Sequence, residues 1–457
     1  MGAFVFWSSS AFAQNSLTLQ NSPIPSITKS LQKVQLREPL YSIAMSSTTV
    51  VVSSPQHEEE DATLPAEFFL KAAVLLKNQV VEATWRDGGA RCDDPTAYAG
   101  LLGTALMCLR SYEATGSLDD LRLCAEIVDA CAVAAQSWNR DVTFLCGRAG
   151  VYALGAAVAN YRKEFERCEL FLDLFLKVAG EKALSVGPEE GGFGMSYELL
   201  HGRAGFLFAV LFINKHLGPG TVPDELTDPI VEAVLAGGRT GASDTMQCPL
   251  MYRWQGTCFW GAAHGLSGIL HVLLHFKLNG QDRKDVEETI QYMIRNRFEH
   301  SKNYPSSEGN ARDKLVQWSH GAGGVAIMLC KAAQVLSGEK VSSDIYLKNK
   351  EYQDAAVDAG EVVWKRGLND SYGLADGIAG NAYAFLSLYR LTKENIYFER
   401  AATFSSILYQ NTLKLKVYDD KDYGENKYSL FQGFAGVACL WFDMMSPESA
   451  RFPGFEL

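Results

Sequence analysis

Five side chains could do chemistry together if the fold gathers them: Cys146, His201, His264, His320 and Asp376. Each stands directly before the first glycine of a Gly-x-x-Gly motif, and Ala99 and Gln432 hold the same place in two further copies. An imidazole with an ordinary pKa near 6.5 exchanges protons at neutral pH, so His264 and His320 are candidates for general acid and base. The same residue types ligate metals, and His264, His320 and Asp376 make a two-histidine, one-carboxylate set of the kind that suits iron(II). Glycoside hydrolysis would need two carboxylates flanking the bond, and Asp376 has no obvious acid partner among these positions.

The elements that must position these residues follow from the spacing. The first glycines fall at 100, 147, 202, 265, 321, 377 and 433, so the last three steps are each 56 residues. A fixed period of that size signals a repeat architecture. Most motifs open onto a strongly apolar helical run, such as Phe206–Lys215 or Asn381–Leu391, and amphipathic helical runs such as Leu118–Ala135 and Tyr352–Lys365 lie between them. Apolar helices alternating with amphipathic ones predict an all-α fold: seven helical hairpins in an inner and an outer layer, closed into an α/α toroid. The glycines then serve packing first, because a missing Cβ lets helix starts approach neighbouring backbone. The residue ahead of each first glycine should face the axis at one mouth of the ring. Two long connections, residues 217–260 with a loop at Gly237–Gly241 and residues 300–318, are expected to reach that mouth as a lid.

Composition limits the partners. With 42 basic and 53 acidic residues the net charge is −11, which argues against nucleic acid and against an anionic membrane surface. No apolar run approaches the roughly 18–20 residues that cross a bilayer, so a soluble protein without a transmembrane segment is expected. The ten cysteines form no C-x-x-C pair and fit a reducing compartment such as the cytoplasm. Residues 1–44 are serine-rich with Lys29, Lys33, Arg37 and a single acid, Glu38, which reads either as an organellar transit peptide or as an extension ahead of a start at Met45. Residues 45–63 read as a disordered arm, and residues 64–457 as the toroid.

Taken together, the motifs resemble a known family. The seven Gly-x-x-Gly hairpins, Met251-Tyr252-Arg253-Trp254, Gly261-Ala262-Ala263-His264-Gly265, Asp313-Lys314-Leu315-Val316-Gln317-Trp318 and Gly380-Asn381-Ala382-Tyr383-Ala384-Phe385-Leu386 are similar to the lanthionine synthetase C-like (LanC-like) proteins, especially their plant branch. The likeness covers about residues 64–450. It implies a seven-hairpin toroid with zinc at the axial mouth. Bacterial members add cysteine thiols to dehydroalanine or dehydrobutyrine, eukaryotic members bind glutathione and are linked to its addition to such residues, and plant members have been proposed as receptor-like proteins in abscisic acid signalling.

The chain departs from the family pattern at the metal. In the family the zinc ligands are a Cys before the His-Gly of the fifth repeat and a Cys-His pair before the Gly of the sixth; here those positions read Ser319, then Ala375 with Asp376. A hydroxyl, a methyl and a carboxylate do not make a tetrahedral S/N site, so no zinc is expected. The chemistry leans on zinc because a free thiol with pKa near 8.5 is mostly protonated at neutral pH. Asp370 replaces a family lysine, which weakens the case for glutathione. The resemblance still assigns His264 as acid or base and Glu198 as the acidic position of the cyclases, with His320 beside the lost ligand. His201, Asp376, Arg253, Trp318 and Gln432 are the expected substrate-binding residues. The expected function is a binding or regulatory pseudoenzyme, with a thiol or peptide ligand in the axial pocket and a signalling protein as partner. The alternative is zinc-free thiol addition to dehydrated residues. Cytoplasmic localisation goes with either, or organellar import if residues 1–44 act as a transit peptide.

Overall fold

The computed structural model describes residues 66–138, 141–180, 195–242, 247–336, 343–415 and 426–457. The leader, the arm and residues 64–65 lie outside the described residues.

Seven helices start within two residues of the first glycine of a motif: α2 (Leu101–Thr115), α4 (Arg148–Tyr161), α6 (Arg203–Leu217), α8 (Leu266–Leu273), α10 (Ala322–Val335), α12 (Ile378–Thr392) and α14 (Phe434–Asp443). They are buried nearly all round; α12, for example, is buried from Ile378 to Leu388 without a break. Seven helices alternate with them: α1 (Ala66–Val81), α3 (Leu118–Ala135), α5 (Phe165–Val178), α7 (Asp224–Gly241), α9 (Gly280–Arg295), α11 (Ser343–Arg366) and α13 (Asn395–Leu415). These bury one stripe only, as Cys168, Phe171, Phe175 and Val178 do on α5. A π-helical turn, Glu82–Arg86, extends α1.

The ring closes. Each inner helix packs on the next, from α2 through α4, α6, α8, α10 and α12 to α14, and α14 packs back on α2, while α1 supplies the outer layer behind α14. Backbone hydrogen bonds stitch the motif loops in the same circle. Ser319 N donates to Ala375 O at 3.0 Å, Ala375 N to Phe431 O at 2.8 Å, and Phe431 N to Tyr98 O at 3.1 Å, joining the last motif to the first. The second glycine explains why this stitch tolerates only one residue type. At Gly103, Gly150, Gly205, Gly268, Gly324, Gly380 and Gly436 alike, a Cβ would collide with the carbonyl oxygen six residues earlier.

One expectation needs correcting. Gly237–Gly241 is not a loop but the end of α7. A Cβ on Gly237 would strike the Tyr197 ring and one on Gly238 the Tyr252 ring, so these glycines let two buried aromatics lie against the helix. Residues 250–260 and 300–318 do meet each other, through Trp260 N to Ser306 O (3.0 Å) and Glu308 N to Cys258 O (2.8 Å).

The axis is filled rather than open. The C-terminal segment brings Phe452 onto the Trp318 ring, stacked at 5.1 Å, and Phe455 edge-on to the same ring at 5.4 Å. Phe431 completes the cluster, 5.3 Å from Trp318 and 6.0 Å from Phe452.

Candidate functional site: the axial mouth

All inner helices run the same way, so their N-termini and the seven residues ahead of the first glycines share one end of the ring. Within otherwise buried stretches, Ala99, Cys146, His201, His264, His320 and Asp376 are half-buried and Gln432 is exposed. The repeat brings the three histidines together. The His201 and His264 rings lie nearly parallel with centroids 6.1 Å apart, and Phe259 bridges to the third, 6.0 Å from His264 and 5.7 Å from His320. The Trp254 indole stacks on His264 at 3.7 Å and 5°, covering one face of the imidazole.

Glu198 orders this cluster from below. Its side chain is buried, and it accepts from the backbone N–H groups of Leu200 and His201, both at 2.7 Å, and from His264 Nδ1 at 3.1 Å. A carboxylate can only accept, so Nδ1 is the donor in this pair, and in the neutral imidazole Nε2 is left as the acceptor. His201 Nδ1 pairs with Asp141 at 3.3 Å.

The two flanking histidines are driven apart electrostatically. Burial pulls the His201 pKa down, but the hydrogen bond to Asp141 and the charges of Glu198 and Asp141 outweigh it and leave the pKa raised. At His320 burial dominates, Asp376 opposes it, His264 adds to it, and the pKa ends lowered. Nδ1 of His320 is buried without a hydrogen-bond partner. The linkage signs are therefore opposite. The His201–Asp141 pair stabilises the fold fully below the unfolded pKa near 6.5 and loses that contribution as pH rises through the raised folded value. His320 favours the fold when neutral and costs stability as pH falls below 6.5. Proton-detected histidine titration should show His201 above 6.5 and His320 below it, with Asp141→Asn moving His201 down and leaving His320 in place.

Where a zinc ligand set would be, the side chains bond to each other: Ser319 Oγ donates to Asp376 Oδ1, and Ala375 sits buried beside them. A serine, an alanine and a carboxylate do not fit thiolate–imidazole zinc. Among the described residues no three His, Cys, Asp or Glu side chains converge as metal ligands do, His264, His320 and Asp376 included. Cys146 is no ready nucleophile either, because burial and then the charges of Glu198, Asp141 and Asp94 push its thiol well up.

The remaining expected residues divide. Arg253 and Gln432 are exposed, the first beside Trp254 and the second at the seventh motif. Trp318 is wholly buried in the aromatic cluster that fills the axis. Four mouth residues were not among those expected: Phe259 and Trp254, which flank the histidines, and Tyr98 and Asp141. Tyr98 stacks on Phe431 at 4.8 Å and feels the charges of Asp376 and Cys146, which after burial raise its pKa. Asp141 becomes visible only as the partner of His201, since it sits outside every motif.

Seven hairpins closed into an α/α toroid define the fold. The solved structure of nisin cyclase shows the same fold, with a TM-score of 0.60 at 16% identity, over 83% of this chain and 95% of that one. The family model described as lanthionine synthetase C-like protein matches residues 91–457. Among curated proteins, LanC-like protein GCL1 of Arabidopsis thaliana is 58% identical over 402 residues, covering 86% of this chain and 90% of that protein. A more distant relative, Glutathione S-transferase LANCL1 of Danio rerio, is 33% identical over 389 residues, or 81% and 88% of the two chains. The chain belongs to the lanthionine synthetase C-like family, on its plant branch. No helix among the described residues is long and apolar enough to cross a membrane.

Proposed function

We propose that this chain is a LanC-like binding protein that works without zinc, holding a thiol-bearing or peptide ligand at the axial mouth in a regulatory or signalling role. The Ser319–Asp376 hydrogen bond carries this reading, because it satisfies with protein groups the place where the family pattern puts metal ligands. The mouth keeps what recognition needs: a flat aromatic wall at Trp254, an oriented imidazole at His264 and the N-terminal ends of seven inner helices, whose partial positive charge favours an anionic ligand group. Titration calorimetry with glutathione and with S-methylglutathione, in the presence of a chelator, tests it. Saturable binding is expected, weakened about tenfold, or ~1.4 kcal/mol, by Trp254→Ala or His264→Ala. Binding that requires added zinc, or that ignores both substitutions, overturns it.

The Glu198–His264 pair favours a second reading, thiol addition to a dehydrated residue. His264 Nε2 would take the proton of the ligand thiol as sulfur bonds to the β-carbon of dehydroalanine. The same proton would then pass to the α-carbon, so the addition balances with no other reactant. Support would be thioether formation on a dehydroalanine peptide that His264→Ala abolishes; turnover at the uncatalysed rate dismisses it.

A further inference from the structure

The end of the ring opposite the mouth is also lined with chemistry. Helix α8, eight residues and about 12 Å long, separates His264 ahead of its start from His275 beyond its end. A cavity of about 320 Å³ opens there between α8, α10, α12 and the C-terminal segment. Its walls carry Lys331, Arg390, Lys393 and Arg451 with His271 and His275, against the side chains of Glu448 and Glu456, and Arg451 already donates through Nε to Leu457 O at 2.8 Å and through Nη1 to the Ala450 and Glu448 carbonyls.

Both acids are already engaged. Glu456 takes Arg390, Ser387 Oγ at 2.9 Å and the Phe452 N–H at 3.0 Å, and Glu448 takes Lys393. Lys331 makes no hydrogen bond or ion pair among the described residues, and Nη1 of Arg390 is buried without a partner. Parallel inner helices bring their C-termini to this end, and one cation per helix end would suit their dipoles. The cations go further than that, because they crowd one another. Burial, and then Lys331 and Lys215, push His275 down to about 3; burial, and then Lys215 and Arg110, do the same to His216 nearby. Burial also lowers Lys331 itself, with Glu456 opposing and Arg451 adding to the effect. In a chain of net charge −11, this is a local surplus of positive charge facing a cavity.

We propose that this back chamber, walled by His275, Lys331, Arg390 and Arg451, binds a small multiply charged anion of the phosphate class. Arginine nitrogens and a lysine point charge match phosphate oxygens, and the volume takes inorganic phosphate or a small phosphate monoester. The Trp318–Phe431–Phe452–Phe455 cluster lies in the ring interior between the two ends, so the chamber is a second site that does not depend on the mouth chemistry.

The test is thermal and calorimetric titration of the full chain with inorganic phosphate, at ionic strength held constant with chloride, and in a second arm with glycerol 3-phosphate against glycerol. Saturable binding and a rise in melting temperature are expected for the wild type. Lys331→Gln should weaken binding about tenfold or more, while His264→Ala leaves it unchanged. In phosphate-free buffer Lys331→Gln should melt no lower than wild type, since it removes a desolvated cation without a partner. Bound phosphate should also raise the His275 pKa. Phosphate acting no differently from chloride, or equally on wild type and Lys331→Gln, overturns the proposal. A preference for glycerol 3-phosphate over inorganic phosphate identifies the ligand as an organic monoester.

Discussion

Glu198→Ala is expected to destabilise the ring by about 3–5 kcal/mol. The carboxylate is buried and holds four donors at once: Leu200 N, His201 N, His264 Nδ1 and, more weakly, Ser196 Oγ. Truncation strands two backbone N–H groups at a helix start and frees the imidazole from its tautomer. Each orphaned buried donor costs about 1–3 kcal/mol. Glu198→Gln keeps one acceptor oxygen and should cost roughly half as much. Urea denaturation with m-values fitted for each variant reads both losses. A loss below about 1 kcal/mol for the alanine variant would mean that Glu198 does not organise the mouth.

The second large effect is a gain. Ser319→Cys, Ala375→Cys and Asp376→His, made together, should create a zinc site. The three positions are already adjacent: Ser319 bonds to Asp376 through its side chain and to Ala375 through its backbone at 3.0 Å. Two thiolates and an imidazole with an open fourth position are a sufficient donor set. Zinc bound to structural sites is held by about 10–16 kcal/mol at pH 7. Even the lower figure corresponds to a dissociation constant of tens of nanomolar, roughly. With free zinc at 1,000 times that constant, the triple variant should gain about 4 kcal/mol of stability, and the wild type should gain none. Competition with a chromogenic chelator and melting in added zinc measure the two quantities. A triple variant that melts alike with and without zinc would show that more than these three side chains separates this mouth from a metal site.

Much of the fold was legible because the repeat is written in residues that backbone geometry requires. Each second glycine abuts the carbonyl six residues earlier, so the motif recurs with the contact and can be counted by eye. Helix α3 appears at the bounds its pattern predicts, Leu118–Ala135, since Ser117 caps it and the apolar period is clean. Gly237–Gly241 misled for a physical reason. Glycine usually ends helices, but here it makes room for Tyr197 and Tyr252, and only tertiary contacts say so. The filled axis was invisible in the same way, because Phe452 and Phe455 meet Trp318 across more than 130 residues without any period to announce them. At the mouth, the repeat placed the histidines, whereas their partners Glu198, Asp141 and Trp254 belong to the loops between repeats. Glu198 was reachable through family resemblance. Asp141 was not, as no motif contains it.

We propose that the mouth of this ring is held by Ser319, Asp376, Glu198 and the histidines rather than by a metal. Elemental analysis of the full-length protein, purified without chelator and with zinc in the growth medium, tests it most directly. The expected result is zinc far below one ion per chain, with unchanged stability after dialysis against a chelator. One zinc ion retained per chain and lost with His264→Ala, or a protein that unfolds when the metal is stripped, would contradict it.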